Sequence, residues 1–203
     1  MTREDGYIKK NGRPILDCSL IRRGEEHNIK NLMLAIAACD GLADDGAIRR
    51  VCESFHGLAH RCEKFLSCRG IDFYDSSIDT SPARTATTLR SLGRSVVIIL
   101  GGRGKGLDYS QMLPEIKKYV KSAVLLGENK QEIKKAIGDA TPCRLAENMA
   151  EATRIGIDMA REVGALLLSP ASASYDAFKN YEERGDSFKK SVTKELENEE
   201  DLP

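Results

Sequence analysis

Beyond Gly57 the sequence alternates short apolar runs with segments of helical periodicity, and this alternation constrains the fold more than any other feature. Strands separated by helix-length segments favour a mostly parallel sheet covered by helices. The runs Cys62–Cys68, Ile71–Tyr74, Ser95–Leu100, Ser122–Leu126 and Ala165–Leu168, with a short one near Arg144, predict strands. The segments Arg84–Leu92, Gln111–Tyr119, Gln131–Ile137, Asn148–Val163, Tyr175–Arg184 and Ser187–Glu197 predict helices.

Before Gly57 the pattern is different. The first two dozen residues mix charges, glycines and isolated apolar side chains, and read as the edge of something larger. Ile29, Leu32, Met33, Ile36 and Ala37 then recur at helical spacing from Asn28 onward, with Gly41 as a stop. A second amphipathic helix carries Ile48, Val51, Cys52 and Phe55 after a cap at Asp44 or Asp45. The chain therefore divides into a helical part, residues 1–56, and an α/β domain, residues 57–203. The apolar faces of the two early helices call for a partner surface, and left bare they form an aggregation-prone patch.

Bulk properties exclude several classes of function. The 31 basic and 31 acidic residues cancel, so there is no electrostatic footprint for nucleic acid or an anionic membrane. The longest purely apolar run, Val96 to Leu100, falls far short of the ~20 residues that cross a bilayer. The N-terminus lacks the apolar stretch of a secretory signal, so a cytoplasmic location is expected. Six scattered cysteines show no zinc-binding spacing, and Cys39 and Cys52 are expected to be buried as small hydrophobes.

In an open α/β sheet, ligands collect beyond the carboxyl ends of the strands. Four segments stand there. Gly101-Gly102-Arg103-Gly104-Lys105-Gly106 is a candidate anion site, since glycines admit a ligand to the backbone and Arg103 and Lys105 attract negative charge. A glycine-rich turn with solvated cations explains the same residues, and the spacing fits neither a dinucleotide fingerprint nor a P-loop. Ser169-Pro170-Ala171-Ser172-Ala173-Ser174, read as the entrance to a helix, offers hydroxyls and amides to a carboxylate or phosphate, while one serine as an N-cap needs no ligand. Asp75 and Asp79 are left after the capping role of Thr80 or Ser81 before Pro82, and suit a cation, a ribose or an ammonium group equally. Arg61, after Gly57-Leu58-Ala59-His60, is placed to meet a phosphate at a hinge, against the commoner use of arginine in surface salt bridges.

Together these segments resemble the Mur ligases, and among them those that add D-glutamate. The matching pieces are GEEHNIKN (Gly24 to Asn31), GLAHRCE (Gly57 to Glu63), YDSSIDTSPARTATTL (Tyr74 to Leu89), LGGRGKGLDYS (Leu100 to Ser110) and LLSPASASYDAFKNYEERGDSF (Leu167 to Phe188). The resemblance implies a Rossmann-like C-terminal domain preceded by a helical remnant of a central ATPase domain. It implies an ATP- and Mg2+-dependent reaction in which D-glutamate attacks an acyl phosphate of UDP-N-acetylmuramoyl-L-alanine. Carried over residue by residue, Lys105 and Ser174 hold carboxylates of D-glutamate and Tyr181 contributes through its backbone. Asn28 and Asn31 lie near the adenine, Arg61 reaches the ATP phosphates, and Asp75 helps seat the nucleotide.

Three positions depart from the family pattern, one of them Gly104, where the glycine-rich turn usually carries an aspartate. Ser77 stands where a lysine is common, and Asp79 where a threonine is common; a charge at Asp79 repels a carboxylate ligand unless Arg84 or Arg103 offsets it. The family's uridine-binding domain and its G-T-x-G-K-[ST] loop have no counterpart in these residues, so the chain alone is expected to be inactive. A stand-alone module that binds or senses an anionic amino acid is the alternative, and an oxidoreductase built on the glycine-rich turn is a weaker third reading.

Overall fold

The computed structural model describes residues 1–21, 26–55, 57–104 and 106–198. Lys105, part of the GEEHNIKN segment and the acidic end beyond residue 198 lie outside the described residues. The chain separates into two compact units, Met1–Gly57 and Leu58–Pro203.

The first unit is not purely helical. Strands β1 (Thr2–Glu4), β2 (Tyr7–Lys10) and β3 (Arg13–Asp17) form an antiparallel meander ahead of helices α1 (Glu26–Ala38) and α2 (Asp45–Ser54). Two-residue Asp5-Gly6 and Asn11-Gly12 turns join the strands, with positive φ at all four positions. This is the turn chemistry whose twist matches that of paired strands. The meander also supplies the partner surface: Ile8, Ile15 and Leu16 share one core with Ile29, Ile36 and Cys52. The expected bare patch is thereby reduced, although Val51 and Phe55 stay 58% and 48% exposed. Cys39 is exposed, contrary to expectation, because it lies beyond the end of α1.

The second unit is a six-stranded sheet, ordered β4 (Glu63–Cys68), β5 (Ile71–Asp75), β9 (Ala165–Leu168), β6 (Val96–Gly101), β7 (Val120–Leu126), β8 (Cys143–Leu145). Only the edge pair β4 and β5 is antiparallel. Side chains alternate between the two faces, as the period of a strand demands. Ile98, Leu100, Leu125 and Leu167 face a layer of α3 (Pro82–Leu92), α4 (Leu113–Tyr119) and α5 (Lys130–Ile137). Val97, Ile99, Val124 and Leu166 face α6 (Met149–Ala160) and α7 (Tyr181–Asn198).

The two helices expected between Tyr175 and Glu197 are one. Residues 175–180 form no helix, and α7 then runs unbroken through Gly185. Asn180 caps it by accepting from the Glu183 amide at 2.8 Å, and the Glu183 carboxylate returns to the Lys179 amide at 2.6 Å.

Candidate functional site

Because β5, β9, β6 and β7 run parallel, their carboxyl ends open onto one rim, where ligands gather in sheets of this kind. The loops following these strands are tied together backbone to backbone. Gly101 donates its amide to the Pro170 carbonyl at 2.8 Å, and Arg103 donates to the Ala173 carbonyl at 2.9 Å across an antiparallel bridge. The glycines permit this approach. A Cβ at Gly102 would sit 2.2 Å from the Ala173 carbonyl oxygen, with φ at +151°.

Arg184 fastens the same rim from below. It is 2% exposed, and its guanidinium donates to the Ser77 hydroxyl at 3.0 Å, the Ser77 carbonyl at 2.8 Å and the Ser172 carbonyl at 3.0 Å. Burial lowers its pKa to about 10, an effect that Asp176, Asp75 and Asp79 oppose. Ser77 is thus a structural acceptor for a buried cation. Asp79 turns inward rather than towards the rim, taking hydrogen bonds from Thr88 at 2.7 Å and Ser169 at 2.8 Å. Burial pushes its pKa up against these hydroxyls.

Of the residues carried over by resemblance, Asn28 and Asn31 lie on α1 in the first unit, and Arg61, Asp75, Ser174 and Tyr181 lie in the second. Lys105 is outside the described residues. Ser174 is buried on the loop bridged to Arg103, but it does not stand at a helix N-terminus: its carbonyl accepts the Ala177 and Phe178 amides in an isolated turn. Tyr181 opens α7, with its ring edge-on to His60 at 6.1 Å between centroids.

Arg61 is exposed and flanked by two non-glycine residues in the left-handed region, His60 at φ 59° and Cys62 at φ 44°. Such strain persists only where surroundings fix it. Here the Glu63 carboxylate accepts the His60 amide at 2.9 Å, the Ser76 hydroxyl accepts the Cys62 amide at 3.0 Å, and the His60 carbonyl accepts the Ile78 amide. The His60 ring is held by Asp75, whose Oδ2 lies 2.7 Å from Nδ1. Asp75 is fully buried and committed to His60, the Ser77 amide and, at 3.6 Å, Lys189. Its carboxylate supports the Arg61 turn through His60.

His60, Glu63 and Asp75 bring three potential metal ligands within 4.8 Å of one another. They do not fit Mg2+, which prefers an octahedron of oxygens. One donor is an imidazole nitrogen, and the Lys189 ammonium already sits 2.7 Å from Glu63. That ammonium, with the His60 amide, holds the Glu63 carboxyl below its ordinary pKa despite burial. No step is assigned to a metal held by these residues.

Arg184, expected only as the end of a helix, and Gly185 carry functions not assigned from the sequence. Gly185 is needed because a Cβ there would lie 2.3 Å from His60 Nδ1 and 2.6 Å from Asp75 Oδ2. The signal was present in the Glu-Arg-Gly run, a charged and a small residue at adjacent positions on the inner face of an amphipathic helix.

A family profile described as "Mur ligase, glutamate ligase domain" matches residues 60–172. The chain belongs to the Mur ligase family. A UDP-N-acetylmuramoylalanine--D-glutamate ligase of Symbiobacterium thermophilum is 39% identical over 197 residues, 94% of this chain and 43% of that protein. One of Acetivibrio thermocellus is 37% identical over 175 residues, 82% and 38% of the two chains. The chain thus spans about two-fifths of the length of these Mur ligase relatives. Among solved structures, the UDP-N-acetylmuramate-alanine ligase of Thermotoga maritima superposes with a TM-score of 0.62 at 13% identity, covering 86% of this chain and 39% of that one. The folylpolyglutamate synthase of Mycobacterium tuberculosis complexed with ADP gives 0.63 at 18%, covering 82% and 40%. These two likenesses establish a shared α/β fold. Among the described residues no helix is long and apolar enough to cross a membrane.

Proposed function

We propose that the chain supplies the amino-acid-receiving domain of a cytoplasmic ligase that joins D-glutamate to UDP-N-acetylmuramoyl-L-alanine in peptidoglycan synthesis. The substrate carboxyl group is phosphorylated at the expense of ATP, and the amine of D-glutamate attacks the acyl phosphate, expelling phosphate and forming the amide. Mg2+, which the His60, Glu63 and Asp75 cluster does not fit, would neutralise phosphoryl charge if held elsewhere in the whole ligase. Within this chain Lys105 and Ser174 hold the carboxylates of D-glutamate, with the backbone of Tyr181 beside them. Residues 1–56 belong to the central ATP-binding domain, where Asn28 and Asn31 approach the adenine. Arg61 reaches the phosphates from its braced turn, and Asp75 serves the nucleotide through His60 rather than by touching it.

One observation carries this reading. The Arg103–Ala173 bridge lays the glycine-rich turn alongside the loop of Ser174, which supports a site drawing groups from both. Calorimetric titration of the chain with D-glutamate tests it. Binding is expected in the millimolar range or tighter, weakened at least about tenfold by Ser174→Ala or Lys105→Ala, as when a charge-assisted hydrogen bond is lost. The 203 residues hold no G-x-x-x-x-G-K-[ST] loop, so the chain mixed with ATP, D-glutamate and the nucleotide sugar is expected to form no amide. No binding, or binding indifferent to both substitutions, would overturn the assignment.

A further inference from the structure

Asn129 precedes α5 at its N-cap, where an asparagine side chain ordinarily accepts an amide of the helix's first turn. It makes no such bond. Asn129 is 4% exposed, and its side chain turns instead to the rim: Oδ1 accepts the Gly102 amide at 2.9 Å, and Nδ2 donates to the Tyr109 hydroxyl at 2.5 Å and the Ser172 hydroxyl at 2.7 Å. The two hydroxyls lie 3.2 Å apart, closing a triangle. The Asn129 amide donates to the Gly102 carbonyl at 3.1 Å, so this one residue grips both polar groups of Gly102. Its amide group presents two donors and one acceptor, and all are used, on Gly102, Tyr109 and Ser172.

From this geometry we infer that Asn129 is a positioning residue, locking the glycine-rich turn and the serine loop in mutual register so that they receive one amino acid together. The inference rests on the reading of the rim as an amino-acid site. Asn129 touches both candidate ligand loops through Gly102 and Ser172, next to the Arg103–Ala173 bridge, while Arg184 donates to the Ser172 carbonyl. A helix-capping role would add nothing to the backbone bonds between these loops; here the cap is forgone and the hydrogen bonds go to the rim.

The test compares Asn129→Leu with Thr141→Val in the whole chain. Thr141 is a buried hydroxyl bonded to the Val120 carbonyl at the opposite end of the sheet, and controls for a general loss of stability. Asn129→Leu is expected to weaken D-glutamate binding about tenfold and to speed amide exchange at Gly102 and Arg103 about tenfold, the usual scale for an orphaned buried hydrogen bond. Thr141→Val should change neither. Asn129→Asp, which keeps an acceptor for Gly102, should retain the Gly102 protection. Should Asn129→Leu fail to fold, Tyr109→Phe removes one hydroxyl of the triangle and should shift both readings in the same direction by less. Unchanged binding and exchange in these variants, or equal losses in Thr141→Val, would overturn the inference. If the parent chain binds no D-glutamate, the amino-acid reading falls, while exchange at Gly102 and Arg103 still decides whether Asn129 sets the register.

Discussion

Gly101→Ala is expected to cost the chain more than about 4 kcal/mol, enough to abolish a cooperative urea transition in a domain of ordinary stability. The added Cβ would lie 1.9 Å from the Leu126 carbonyl oxygen and 2.9 Å from its carbon, at a φ of +117° that an L side chain rarely adopts. Leu126 is the ladder partner of Gly101 on the neighbouring strand, so it cannot move aside without opening the interior β6–β7 pair of the sheet. Nor can Gly101 shift alone, because its amide is bonded to Pro170. Gly106→Ala is the comparison: φ is also positive, at +61°, but nothing lies within 4 Å of the added atom. That change is expected to cost only about 1 kcal/mol, the price of the left-handed backbone. Equal urea midpoints for the two variants would show that the close approach of the strand ends is not a constraint.

Arg184→Met is expected to destabilise by about 3 kcal/mol or more, lowering Tm by roughly 6–12 °C in a chain of this size. The methionine fills much of the volume but leaves the Ser77 carbonyl, the Ser77 hydroxyl and the Ser172 carbonyl without their buried donor. Each orphaned acceptor carries a desolvation cost that water cannot relieve at a site only 2% exposed. Arg184→Lys should recover little, since a single ammonium cannot span the two loops as the planar guanidinium does. Calorimetric melting of the three proteins checks this ordering. A methionine variant as stable as the parent would mean that the arginine does not hold the rim together.

The central strands β6, β7 and β9 were legible because each is an apolar run largely buried on both faces, and the loops that follow them could be placed at one rim from the parallel arrangement alone. The first unit was not read as a sheet because β1, β2 and β3 place charges among few apolar residues, with only Ile8, Ile15 and Leu16 deeply buried. The Asp5-Gly6 and Asn11-Gly12 pairs were nonetheless hairpin signals. Gly185 and Asp186 suggested a helix break, yet α7 continues there because the glycine admits His60 and Asp75 against the helix face, a contact between residues more than a hundred positions apart. The serine run suggested a helix entrance, but the loop is shaped by its bridge to Arg103 rather than by local propensity. Asp75 looked like a ligand group from its place after a strand; its burial and its bond to His60 depend on α7 and could not be read locally.

Chemical-shift mapping of D-glutamate on the isotope-labelled chain addresses the central claim most directly. Perturbed amides are expected to fall in two groups that titrate with one affinity, residues 101–106 and residues 172–176, while amides around Cys143–Leu145 on the far edge strand stay still. Shifts confined to one of the two groups, or separate affinities for each, would contradict a single pocket shared by both loops.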